Sequence, residues 1–108
     1  MPNIMFKKQI PLAIPIDHPA FAGHFPSVPI VPGVVLLDEV LYVIEQDEAL
    51  QHSVWKISSV KFLSPLKPGE EVVMQYEQLA NGNINFAIWE QARQIVSGSL
   101  APAMQPQS

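Results

Sequence analysis

Gly23-His24-Phe25-Pro26-Ser27-Val28-Pro29-Ile30-Val31-Pro32-Gly33-Val34-Val35-Leu36-Leu37-Asp38 decides how the rest of the chain is read. Its first half carries Pro26 and Pro29, with Pro32 closing it. Proline locks φ and pushes the residue before it into extended conformations, so the segment is an ordered extended loop holding one imidazole, His24. Pro32 suits the first helical position, where its missing N–H costs nothing. A long helix is therefore predicted from Pro32 to about Leu50. Val34, Leu37, Leu41 and Ile44 share one of its faces, and Val35, Leu36, Val40 and Val43 fill most of the remainder. A helix apolar nearly all round is expected to be buried, with only Glu45-Gln46-Asp47-Glu48 emerging into water.

Working outward, Gln9 to Ile16 reads as a strand, and Pro11 and Pro15 assign it to an edge or an irregular position. Asp17-His18-Pro19 has the form of a helix start, leaving room for a turn or two before Gly23. After the long helix, Ser53 to Phe62 sets Trp55 and Ile57 against Val54, Lys56 and Ser58, the period of a half-buried strand. Pro65, Pro68 and Gly69 mark a turn, Glu71 to Leu79 a strand, and Asn81-Gly82-Asn83 a hairpin. Ile84 to Glu90 and Ile95 to Ala101 complete the set, joined around Gln91-Ala92-Arg93. The expected class is α+β, one antiparallel sheet wrapped around one helix. Residues 1–101 are expected to form a single domain and 102–108 a disordered tail.

Hydrophobic residues make up 48% of the 108, and charged residues only 15%. A chain so small cannot hide that much apolar surface alone, and an open sheet edge and helix flank add to the expectation of a partner subunit. With no cysteine, disulfides and thiolate chemistry are excluded. His18, His24 and His52 have no metal-ligand spacing, so neither a metal nor another cofactor is expected. A net charge of −4 argues against nucleic acid as a partner. No apolar run approaches the ~18 residues of a membrane span. Lys7 and Lys8 follow the short apolar patch at the N-terminus, the wrong order for a signal peptide, so the expected location is cytoplasmic.

Three groups in the opening stretch could carry chemistry. His24 is a base held by prolines. Asp38 is a carboxylate between Leu37 and Leu41, where burial costs several kcal/mol unless the group is paired or solvated. The amides of Gly33 and Val34 leave the helix N-terminus unpaired, and Gly33 has no side chain to block an oxyanion. Each also has a structural reading: a fixed loop histidine, a carboxylate bonded to nearby backbone amides, a plain Pro-Gly helix entry. Glu39, with Tyr42 and Gln46, marks a wetter stripe and is read as solvated; His18 and His52 are read as a helix-start residue and a solvated loop residue.

His24-Phe25-Pro26-x-x-Pro29-x-x-Pro32-Gly33-Val34, with Asp38 fourteen residues after the histidine, resembles the active-site segment of the hotdog-fold 3-hydroxyacyl-[acyl carrier protein] dehydratases of the FabZ and FabA type. Val60-Lys61-Phe62-x-x-Pro65-x-x-Pro68-Gly69-Glu70 resembles that family's strand-turn segment. The likeness runs from about Gln9 to Ala101 and is strongest to the short FabZ-like dehydratases of aryl polyene biosynthesis clusters, the ApeI-like group.

The resemblance implies a hotdog fold and dehydration of a 3-hydroxyacyl-[acyl carrier protein] thioester to the trans-2-enoyl thioester, in fatty acid or aryl polyene type biosynthesis. By the same likeness His24 is the catalytic base, Asp38 the catalytic acid and Gly33 the oxyanion amide, while the Ile30 carbonyl orients the histidine ring. Phe25, Pro32, Val34, Leu37 and Tyr42 are the residues expected along the acyl chain, between subunits of a homodimer with shared active sites. The acyl carrier protein is the implied partner, with Lys61 and Lys67 as candidate contacts. Ser27 and Tyr42 depart from the pattern, where glycine and glutamine are usual. Two other readings therefore stand beside dehydration. One is a hotdog thioesterase. The other is a non-catalytic acyl-binding subunit that forms a hetero-oligomer with a second dehydratase-like chain.

Overall fold

The computed structural model describes residues 4–12, 14, 30–51 and 53–103. His24, Phe25, Ser27, His18, His52, the short helix expected after Asp17 and the tail from 104 onward lie outside them. Strand β1 (Ile4–Leu12) precedes helix α1 (Gly33–Gln46), and four strands follow: β2 (Trp55–Phe62), β3 (Val72–Leu79), β4 (Ile84–Glu90) and β5 (Arg93–Pro102). They make one five-stranded antiparallel sheet in the order β1-β3-β4-β5-β2. The proline-bearing β1 is an edge strand, as expected, but it starts at Ile4 rather than Gln9, because Ile4 to Lys8 already pair with Leu79 to Tyr76 of β3, and it ends at Leu12. β5 runs to Pro102, which pairs with Trp55, so the ordered strand passes the expected domain boundary by one residue.

Register places the same apolar rows on the helix side of every strand. Ile10 pairs with Met74, Met74 with Ile88, Ile88 with Val96 and Val96 with Phe62. Along the next row Lys8 meets Tyr76, Tyr76 meets Phe86, and Phe86 meets Gly98. Met74, Ile84, Ile88, Ile95, Val96 and Leu100 are fully buried against the helix residues Val35, Leu36, Val40 and Ile44. The Asn81-Gly82-Asn83 turn joins β3 to β4; Gly82 takes φ +92°, which a side chain would oppose, and Asn81 Oδ1 accepts the Asn83 N–H at 2.9 Å.

Three expectations about α1 need correcting. Pro32 is the N-cap, not the first helical residue: its φ of −61° suits either place, but ψ of 144° is extended. The helix stops at Gln46 because Asp47 turns extended to follow its own hydrogen bonds. Nor is α1 buried all round. One sheet covers one face, so the core takes Val35, Leu36, Val40 and Ile44, while Val34 and Tyr42 are each 61% exposed. In β2 the strict alternation fails at a bulge between Ile57 and Ser59. Among the described residues no helix is long and apolar enough to cross a membrane.

Candidate functional site

The N-terminal end of α1 is built from backbone and apolar groups. Pro32 O accepts the first helical bonds, from Val35 N at 3.0 Å and Leu36 N at 3.4 Å. The Gly33 and Val34 amides precede those bonds. Among the described residues no side chain caps this end, and its first turn holds no acidic residue. The ring of Phe62, at the end of β2, lies across Gly33: a Cβ there would come within 2.7 Å of Phe62 Cζ. Phe62 is itself 53% exposed, as are its neighbour Leu63 and, beyond Gly33, Val34 to similar degrees. The positive end of a helix dipole, with N–H groups that no described residue accepts and an apolar rim, is suited to receive an anionic oxygen.

The approach to this end is anchored from the β2–β3 loop. Val31 N donates to Leu66 O at 2.7 Å, and both side chains are buried. Leu63 N and Ser64 N share Ile95 O at 2.8 and 3.3 Å, which ties the loop to β5. Pro65, Lys67, Glu70, Glu90 and Arg93, with Ile30, line a recess of 380 Å³ beside it. Lys67 thus stands near the site entrance, whereas Lys61 lies exposed along β2.

Of the residues singled out in the sequence, Gly33, Val34, Leu37, Asp38 and Tyr42 lie on α1, and Pro32 caps it. Leu37 is half-buried and packs on the core. Asp38 corrects the expectation of a carboxylate inside the apolar interior: it is exposed, because it lies on the uncovered flank of the helix. Val34, Asp38 and Tyr42 are spaced four apart and form one stripe on that flank. Asp38 makes no hydrogen bond or ion pair with another described residue, and the Tyr42 hydroxyl does not bind it. A single chain therefore offers the carboxylate outward. His24 and Phe25 lie outside the described residues, so their distances to this stripe are not part of the geometry.

At the other end of α1 a polar cluster forms that sequence reasoning assigned to solvent. Asp47 is buried, its side chain 3% exposed. It accepts Lys8 Nζ at 2.7 Å, Tyr76 OH at 2.6 Å and Ala49 N at 2.9 Å. Burial pushes the Asp47 carboxyl up, but the bonds from Lys8, Tyr76 and the Ala49 amide, with the Lys8 charge, outweigh it and hold it below its ordinary value. Burial, then the adjacent carboxylate, raises the Tyr76 hydroxyl well above the usual tyrosine range, so it stays a donor. No sequence signal gave the cluster; strand register creates it by setting Lys8 opposite Tyr76. A groove of 830 Å³ opens beside this cluster, bounded by Leu12, Glu39, Tyr42 and Gln46 among others, so the wetter helix stripe does face water. No group of three or more metal-ligating side chains gathers among the described residues.

Comparison with known proteins places this geometry in a context. The ApeI-like family model, described as ApeI dehydratase, matches residues 5–99. A 3-hydroxyacyl-[acyl-carrier-protein] dehydratase FabZ of Nitratidesulfovibrio vulgaris (strain DP4) is 30% identical over 98 residues, covering 82% of this chain and 62% of the relative. A FabZ of Sulfurovum sp. (strain NBC37-1) is 32% identical over 90 residues, covering 71% of this chain and 58% of the relative. The chain thus spans about three-fifths of the length of these relatives. Among solved structures, the dehydratase heterocomplex ApeI:P from Xenorhabdus doucetiae has a chain that superposes with TM-score 0.73 at 23% identity, covering 96% of this chain and 99% of that one. An uncharacterized protein from Erwinia carotovora subsp. atroseptica gives 0.66 at 25% identity, covering 97% and 99%. The sheet-and-helix fold is the hotdog fold of those dehydratases.

Proposed function

The chain belongs to the ApeI-like dehydratase family, and from that premise we propose that it removes water from a 3-hydroxyacyl thioester carried on an acyl carrier protein, giving the trans-2-enoyl thioester. The observation that carries this reading is the pairing of a helix N-terminus at Gly33, which no described side chain caps, with a carboxylate, Asp38, turned outward from the same helix. The C2 hydrogen lies beside a thioester carbonyl, so its removal by His24 sends charge to the carbonyl oxygen. The Gly33 amide and the helix dipole receive that charge. Asp38 protonates the departing C3 hydroxyl, directly or through water. The C2–H and C3–O bonds break, the C2=C3 bond forms, water leaves carrying the proton from Asp38, and the proton taken by His24 passes through solvent to restore Asp38.

Two copies form the working unit in this reading. Among the described residues β2 pairs with β5 along one edge, and in this reading its other edge receives a second copy of itself. Val54, Ile57, Phe62 and Leu63 stand exposed along or beside that strand, and the Val34–Asp38–Tyr42 stripe lies on the uncovered helix flank. Pairing β2 with its copy covers these surfaces and brings Asp38 of the partner subunit toward the loop that carries His24. The acyl chain runs between the subunits past Phe25, Pro32, Val34, Leu37 and Tyr42. A second reading keeps the same surfaces but fills them with a different dehydratase-like chain; its support is that the solved chain sharing this fold comes from a dehydratase heterocomplex.

Mass spectrometry of a 3-hydroxyacyl-[acyl carrier protein] incubated with the purified chain tests the proposal. Loss of one water from the acyl group is expected. Asp38→Asn and His24→Ala should each lower that rate by about 10²–10⁴-fold, the usual worth of a positioned acid or base, without changing the melting temperature. A free acid product would indicate a thioesterase instead. Unchanged substrate, with a monomeric mass in light scattering, would favour the subunit that needs a different partner.

A further inference from the structure

Arg93 begins β5, far from α1 in sequence, yet its guanidinium is spent almost entirely on the β2–β3 loop. One terminal nitrogen donates to Pro65 O at 2.6 Å and to Ser64 Oγ at 3.2 Å. The other donates to Glu70 Oε2 at 2.9 Å, while Nε reaches Glu90 Oε1 at 3.4 Å. Glu70 also accepts the Lys67 N–H at 2.7 Å. That amide bond, set against a small burial cost and joined by the Arg93 bond and charge, keeps the Glu70 carboxyl below its ordinary value. The loop is thus held at its entry by Ile95 O, at Pro65 by the guanidinium, and at its exit by Glu70.

The next residue after Pro65 is Leu66, whose carbonyl receives the Val31 N–H at 2.7 Å. Val31 leads directly into Pro32 and Gly33. From this geometry we infer that Arg93 is a positioning residue for the helix N-terminus: it fixes the loop carbonyl that fixes Val31, and so sets where the Gly33 amide points. The inference rests on the proposed role of Gly33 in the reaction, but the positioning itself is a property of the fold. A planar fork serves three acceptors of this loop at once, which a lysine ammonium on a flexible stem cannot do with the same geometry. The buried Leu66 side chain supplies a second anchor, so removing the fork loosens the loop without releasing it.

Amide hydrogen exchange measured residue by residue on the full chain separates this role from a general structural one. In Arg93→Ala, exchange at Val31 should accelerate about tenfold or more, while the β3 and β4 amides of Met74 and Ile88 keep their wild-type rates. Arg93→Lys should fall between the two, and Glu70→Gln should give a smaller change of the same sign. With turnover measured alongside, kcat should drop about tenfold with KM within about twofold, because the oxyanion contact strengthens only as charge develops. Val31 exchange that is unchanged, or that rises only in step with Met74 and Ile88, overturns the inference. If Arg93→Ala does not fold, Arg93→Lys and Glu70→Gln carry the same test. An absence of dehydration in the wild type would count against the proposed reaction, and the exchange result would still decide the positioning.

Discussion

The two ends of helix α1 are held by opposite means. At the C-terminal end Asp47 gathers Lys8, Tyr76 and the Ala49 amide, and every polar group in the cluster has a partner from this chain. At the N-terminal end the described residues supply no side-chain cap and no acidic first turn, but the Phe62 ring, Leu66 O and the exposed apolar rim. A buried polar group must be satisfied by something, so an end completed by its own residues serves the fold. An end with amides left over at an apolar rim is where an outside acceptor can be received. The same helix thus separates architecture from chemistry along its length of 14 residues.

The largest expected effect that sharpens this contrast is on stability at the C-terminal end. Asp47→Ala removes the carboxylate that accepts the buried Tyr76 hydroxyl and pairs with Lys8. Breaking a buried pair costs about 3–5 kcal/mol, but Lys8 is nearly half exposed and screened, so a loss of about 2–3 kcal/mol is expected in urea unfolding. Catalysis by the folded fraction should be unaffected; a large fall in kcat would break the division between the two ends.

The pH dependence should follow from the same carboxylate. Because its folded pKa is depressed, Asp47 contributes fully above its ordinary value, and the contribution disappears as pH falls through the lower folded value. The gap in unfolding free energy between wild type and Asp47→Ala should therefore narrow from neutral pH to about pH 2, with wild type losing more. A constant gap would mean that the Lys8 and Tyr76 bonds do not depend on the charged carboxylate.

A smaller effect is expected at the other end. Gly33→Ala drives a methyl into the Phe62 ring, whose outer part can swing into solvent. The stability cost should be about 1 kcal/mol, in the range of mild overpacking, while the displaced amide should slow turnover by about tenfold. Adding Phe62→Ala should restore stability; restored turnover as well would show that the ring alone was the obstacle.

Much of this was legible in the sequence because it depends on local rules. Pro32-Gly33 announced the helix start, Asn81-Gly82-Asn83 the hairpin, and the turn signals on either side bounded the strands β3 and β4, all within one residue or so of their places. Pro11 marked an edge. The misreadings share a cause. Apolar residues all round α1 implied complete burial, yet a single sheet covers only one face, so Asp38 and Val34 face outward. Asp47 read as the solvated end of a helix, since nothing nearby in sequence announces that Lys8 and Tyr76 lie in one row across β1 and β3. Arg93 sat in what looked like a plain turn.

The amino-acid order by itself determined the type and order of the described elements, the motif that joins His24, Gly33 and Asp38, and the excess of apolar surface, because turn chemistry, periodicity and composition act over a few residues or none. Only tertiary structure decided which face of α1 is covered, which end of it is chemically complete, and that a guanidinium near the β4–β5 turn holds the loop against which the helix begins. Those facts depend on strand register and on contacts across tens of residues, and register is settled by how the whole sheet packs on the helix.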